Sequence, residues 1–214
     1  MERVTPMSAK EILGIDFIGP EELNVFRHSI GLKMIEAGNF PELLLTEAEL
    51  LSIKENNCIL FAVNNRMETD QLLSIASLRN AIGLDSAEKI GFYNQDWYLK
   101  EPFYHQKLEA PCWAILSKEI PSASRAQIPS RANASIGLPS ALLVTYLFFA
   151  YYFHTNGTFL WKHDYIWCSD DDHNGDMIYV GRYEDPAGIN QNGYSIHRHL
   201  KISSLYGYFS GRVL

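Results

Sequence analysis

The segment that most limits how this chain can fold is 141–153, Ala-Leu-Leu-Val-Thr-Tyr-Leu-Phe-Phe-Ala-Tyr-Tyr-Phe. Ser140 before it is a good N-cap, and Asn156-Gly157 after it supplies a left-handed stop, so the segment reads as a helix. Its faces are apolar nearly all round, and such a helix must be enclosed by other elements rather than laid on a surface. At 13 residues it is too short to cross a bilayer, which needs roughly 20. The rest of the chain must therefore supply layers on several sides of one central helix.

The first 85 residues or so carry helical signals. Pro20-Glu21-Glu22 opens a periodic run toward Gly38, with Val25, Ile30, Leu32 and Ile35 at apolar positions. Thr46-Glu-Ala-Glu49 is a capping box ahead of Leu50 and Leu51. A third helix, capped by Thr69 or Asp70, is expected through Leu72, Leu73, Ile75 and Leu78 to a stop near Gly83. From about residue 89 the texture changes. The aromatic run 91–99 and the apolar run 112–116 suit strands, and 117–139 reads as a long surface connection. After the central helix, 165–169 and 177–183 read as two strands joined across Asn174-Gly175. Asp185-Pro-Ala-Gly and Asn192-Gly193 mark further turns, and 205–213 reads as a last strand. The expected class is α+β, with a helical region at 1–88 and a strand-rich region at 89–214 packed as one compact unit.

Composition narrows the functions. With 47% hydrophobic residues the 214-residue chain can bury a substantial core, and a net charge of −7 argues against a nucleic-acid partner. The opening residues carry no apolar signal region, and no stretch reads as a membrane span, so a cytoplasmic location is expected. Cys58, Cys112 and Cys168 match no zinc or redox spacing and read as reduced, mostly buried thiols.

A resemblance adds to this reading. Leu138-Pro139-Ser140, the Trp-Cys-Ser-Asp of 167–170 and the Gly-Arg-Val of 211–213 together resemble the bacterial C-type-lectin-like fold. That group includes formylglycine-generating enzymes, the variable proteins of diversity-generating retroelements, and small bacterial domains, to which the likeness is nearest. It covers about residues 89–214, and more firmly 138–214. The resemblance implies a twisted antiparallel sheet flanked by helices, with irregular C-terminal loops that bind protein or carbohydrate ligands. In a diversified variable protein, 170–176 and 190–199 would be the display surface. The formylglycine-generating enzymes use a pair of cysteines near the C-terminal end. Here Cys168 has no neighbour to pair with, so the resemblance does not extend to oxidase activity.

Several local patterns bear on chemistry. Asp170-Asp171-Asp172-His173-Asn174-Gly175-Asp176 opens like a calcium loop, but Gly181 stands where the closing Glu belongs. An acidic hairpin turn is the plainer reading; no cofactor is called for, and calcium is the one ion the run would suit. His197 and His199 would lie on one face of a strand, with His173, His163 or Asp164 as conceivable third ligands for a metal. Ser169, His173 and Asp176 could be imagined as a hydrolytic set, without any nucleophile-elbow signature. Trp113 and Trp167, within apolar runs, read as core. Tyr183, Tyr194 and Tyr206, beside turns, read as surface anchors.

The function expected from these readings is recognition of a ligand, with a protein favoured, through the C-terminal loops. The contact candidates are Asp170, Asp172, His173, Arg182, Tyr194, His197, Arg198 and His199. The competing reading is an enzyme, either metal-dependent through the His/Asp-rich segments or thiol-based through Cys168.

Overall fold

The computed structural model describes residues 3–68, 70–129, 137–182, 193–199 and 203–214. The chain is α+β, and it is organised around the apolar helix α6, Ala141–His154. Ser140 caps its start, the hydroxyl accepting from the Leu143 N–H, and every residue from Ala141 to Tyr151 is buried. Around α6 stand α2 (Pro20–Ser29), α4 (Ile75–Ile82) and strands of two separate sheets, so the apolar helix is enclosed on all sides.

The first sheet contains β1 (Phe17–Ile18), β2 (Cys58–Val63), β5 (Cys112–Ser117) and β10 (Arg212–Val213), in the order β1-β2-β5-β10. β1 runs parallel to β2, and the other pairs are antiparallel. A short hairpin of β3 (Arg66–Glu68) and β4 (Gln71–Leu72) stands apart. The second sheet is built from β6 (Tyr165–Asp171), β7 (Met177–Gly181), β8 (Ser195–His197) and β9 (Tyr206–Gly207), in the order β8-β7-β6-β9. Alternation along its strands divides the side chains by face. Ile166, Cys168, Ile178, Val180 and Ile196 point into the main core, whereas Tyr165, Trp167, Tyr179 and Tyr206 form a second, aromatic cluster.

The N-terminal region corrects the helical reading of 1–88. It holds α1 (Pro6–Leu13), α2, α3 (Glu47–Glu55) and α4, but also β1 to β4. β2 reads Cys-Ile-Leu-Phe-Ala-Val and is buried from Ile59 onward, because it lies inside the first sheet between β1 and β5. α2 ends at Ser29 instead of running toward Gly38. The chain turns at Gly31 (φ 77°), and the side chains of α2 hold the next segment. Arg27 Nε–H donates to the Lys33 carbonyl (2.7 Å), and Asn24 exchanges two hydrogen bonds with the Ile35 backbone. α3 starts at the Thr46 capping box as expected, but α4 is capped by Ser74 rather than Thr69 or Asp70.

In the C-terminal half the Asn174-Gly175 hairpin is present between β6 and β7, and 112–117 is a strand. The run 91–99 is not. It follows β8 through a single bridge, Phe92 to Tyr194, and then through side chains. The segment 205–213 is divided between β9 and β10, which belong to different sheets. The turn at 185–188, residues 130–136 of the long connection, and Tyr183 lie outside the described residues. Among the described residues, no helix is long and apolar enough to cross a membrane.

Candidate functional site

The β6–β7 turn organises itself around one carboxylate. Asp172 Oδ1 accepts the N–H groups of Asn174 and Asp176, both at 2.8 Å, while the Asp172 main chain bonds to Gly175 and Asp176. An Asp that gathers the following amides in this way supplies the turn with its own local template. Its other oxygen accepts from the guanidinium of Arg198. Burial would raise the Asp172 carboxyl, but the Asp176 amide, Arg198 and the Asn174 amide outweigh it and hold the group down at about 2.

A second carboxylate reaches the same turn from far along the chain. Glu101 is the N-cap residue of α5 (Pro102–His105), and its side chain is buried. It accepts from the His173 N–H (2.9 Å) and from His173 Nδ1–H (2.7 Å), and lies 3.7 Å from Arg198. The Arg198 guanidinium lies over the Trp97 ring, 4.5 Å from its centroid. Trp97 is itself fixed, its indole N–H donating to the Ile196 carbonyl (3.1 Å), and Gln95 accepts from the Ile196 N–H (3.3 Å). These side chains cover the outer edge of β8 where a further strand would otherwise pair.

Two glycines allow this approach. A Cβ on Gly91 would stand 2.5 Å from the Leu84 carbonyl carbon, and one on Gly193 would stand 2.8 Å from the Gly91 oxygen. Three backbone segments therefore meet where only hydrogen atoms fit, which brings 91–97 beside 194–198.

Two imidazoles face outward from the cluster. The side chain of His173 is 60% exposed and that of His199 is 56% exposed. His199 Nε2 stands 3.0 Å from Asp176 Oδ2, an ion pair when the ring is protonated. His173 gives its Nδ1–H to Glu101, so in the neutral form its Nε2 carries a lone pair, while His199 stands against Asp176. Glu101, Asp172 and Asp176 set three carboxylates against the one guanidinium of Arg198.

Of the sequence candidates, Asp172, His173, Arg198 and His199 come together here. His197 adjoins them but turns inward. It stacks with Tyr179 and meets Tyr165 edge-on, and burial lowers its ring to about 4. Its expected alignment with His199 fails because His199 takes a left-handed backbone (φ 59°), which breaks the alternation after β8. Asp170 serves a different element, accepting from the Ala141 N–H (2.6 Å) at the start of α6, where burial raises its carboxyl. Arg182 is buried, with its guanidinium 4.1 Å over the Phe159 ring. Tyr194 is not a surface anchor. It is fully buried among Phe92, Phe148 and Phe149, and Thr145 donates to its hydroxyl at 3.1 Å. Tyr206 is likewise buried, in the aromatic cluster. Of the proposed display segment 190–199, residues 190–192 lie outside the described residues.

The chemical alternatives are disfavoured on geometry. Asp170 and Asp172 serve different partners, so the calcium-loop ligands diverge. Donor atoms of Glu101, Asp172 and His173 lie close together, as do those of Asp172, Asp176 and His199, but Asp172 is already bonded to Arg198 and two amides. A metal would have to displace that guanidinium. Ser169, His173 and Asp176 do not assemble, since His173 pairs with Glu101 and Asp176 with His199. Cys168 is fully buried and its thiol is pushed well above the ordinary value, first by burial and then by Asp170. That environment suppresses the thiolate a nucleophile needs. His163 and Asp164 are elsewhere engaged or exposed, Asp164 being paired with Arg125 at 2.6 Å.

Glu101 and Gln95, which join Trp97 in fixing this edge, carry no signal of their own in the sequence. They lie about 70 to 100 residues from their partners, and no local period marks such pairs. Compared with protein-family models, curated proteins and solved structures, the chain matches none.

Proposed function

We propose that this protein is a ligand-recognition module and that its contact face is the turn-and-edge cluster around Arg198. The observation that carries the reading is the fixing of Arg198. Its guanidinium is stacked on Trp97 and held by Asp172, with Glu101 alongside, while His173 and His199 project beside it. A face whose polar groups are already locked loses little freedom on binding, and Trp and Arg are the residues that anchor interfaces. The outward lone pair of the His173 ring and the excess of carboxylates favour a protein ligand that presents N–H or O–H donors, above all a basic segment.

The fold reading that accompanies this proposal is C-type-lectin-like. It is supported by the return of the last strand, β10, to pair antiparallel with β5, and by the antiparallel pairing of β6, β7 and β8 in the second sheet. Diversification of the C-terminal loops belongs to the same proposal. It requires variation among closely related copies to concentrate at exposed positions such as His173 and His199 rather than at buried Asp172 or Tyr194.

The test is affinity capture from the source cell's own lysate with wild-type protein and with the H173A/H199A variant. Both side chains are exposed, so circular dichroism should show an unchanged fold. A protein retained by wild type and lost by the variant supports the reading. Equal retention by both, or no specific protein retained, contradicts it.

A further inference from the structure

A second site lies away from this cluster, on the N-terminal side of the first sheet. A cavity of about 840 Å³ opens among α1, the start of α2 and the segment 37–43. Its size is within the range of small-molecule pockets, and its floor is aromatic. Trp113 stacks with Phe17 (centroids 5.8 Å) and meets Phe40 edge-on (5.9 Å), with Leu43 alongside. The Trp113 indole N–H is engaged by the Pro41 carbonyl at 2.9 Å, and Trp113 and Phe17 are each only 2% exposed, so they back the floor while half-buried Phe40 is the ring that faces the cavity. At the mouth stands Met7, which at 73% exposure is the most exposed large hydrophobic among the described residues. An apolar side chain held in water beside an aromatic floor is what an occupant would cover.

The rim determines the charge of that occupant. Both of its cations are paired: Lys10 with Glu22 at 2.6 Å, and Arg3 with Glu42 at 3.4 Å. Glu11 and Glu21 also line the cavity, and neither forms an ion pair among the described residues. The uncompensated charge at the mouth is therefore negative. An anion would meet four carboxylates, whereas a cation would find the Phe40 ring below and the carboxylates of Glu11 and Glu21 above.

We infer that this cavity binds a small organic cation, an apolar or aromatic body carrying an amine or quaternary ammonium group. The body lies against Phe40, backed by Phe17 and Trp113, beside Met7, and the cationic group lies toward Glu11 and Glu21. This site is independent of the Arg198 face, and it adds a low-molecular-weight ligand to the protein ligand proposed there.

Calorimetric titration with three probes of similar body tests the inference: benzyltrimethylammonium, neutral 2-phenylethanol and anionic phenylacetate. The cation is expected to bind about tenfold more tightly than the neutral probe, and the anion not at all. In the E11Q/E21Q variant, whose changes are at exposed positions, that preference should fall to near one while 2-phenylethanol binds as before. Equal affinity for the three probes, or a preference that survives the double substitution, overturns the assignment. Binding of a lysine-rich peptide without binding of benzyltrimethylammonium also overturns it, in favour of a macromolecular occupant.

Discussion

Replacing Asp172 by Asn isolates the charge at the centre of the C-terminal cluster. Asn keeps an oxygen for the amides of Asn174 and Asp176, but loses the ionic bond to Arg198. A carboxyl held at about 2 rather than its ordinary 3.8 corresponds to about 2 kcal/mol of preferential stabilisation, at about 1.4 kcal/mol per pH unit. The side chain is occluded yet lies in a surface turn, so solvent screening reduces the expected figure to about 1–2 kcal/mol. For a chain of this length that is a melting decrease of about 3–6 °C at pH 7. The sign follows from linkage. The carboxylate is favoured in the folded state, so its contribution is fully present above pH 3.8 and is lost as pH falls through about 2. Urea unfolding of wild type and D172N at pH 7, 5 and 3 should show a deficit that is constant at the two higher values and smaller at pH 3. Adding R198A in a double-mutant cycle should recover a coupling of about 1 kcal/mol. Equal midpoints at pH 7, or a deficit unchanged at pH 3, would refute the role given to this charge.

Three other outcomes are expected. His197 is held at about 4 against an ordinary 6.5, so its contribution to stability is full above pH 6.5 and declines as pH falls toward 4; in H197F the loss of stability between pH 7 and 5 should be smaller than in wild type, as read by urea midpoints. Iodoacetamide followed by peptide mass spectrometry should label half-exposed Cys58 first, and Cys168 only after denaturation, because burial raises the Cys168 thiol well above its ordinary value. Gly91→Ala, ordinarily mildly stabilising through the unfolded chain, should instead cost at least about 2 kcal/mol in chemical denaturation, since its Cβ would press on the Leu84 backbone.

What could be read from the sequence was local. The apolar run of α6 with its Ser140 cap, the Thr46 capping box and the Asn174-Gly175 hairpin each carry their signal within a few residues. β2 escaped because six consecutive apolar residues between helices have no period of two, and a strand buried on both faces needs none. Tyr194 was misplaced for a related reason: the turn residues around it suggest solvent, while the aromatic cage that buries it comes from Phe92, Phe148 and Phe149. The candidate site was half legible. Its polar residues in the turn and after β8 stand out, but Glu101 and Trp97, which fix His173 and Arg198, are joined to them only by the fold.

The claim that the Arg198 face is where this protein meets its ligand is tested most directly by site-specific photo-cross-linking. Benzoylphenylalanine placed at exposed Asn174, beside His173, is compared with the same group at Leu51 on α3, which is 45% exposed. Irradiation in the source cell's lysate should give a discrete protein adduct from position 174 and none from position 51, and the adduct should disappear when Arg198 is changed to Ala. An adduct formed equally from both positions, or one that persists in R198A, would contradict the account.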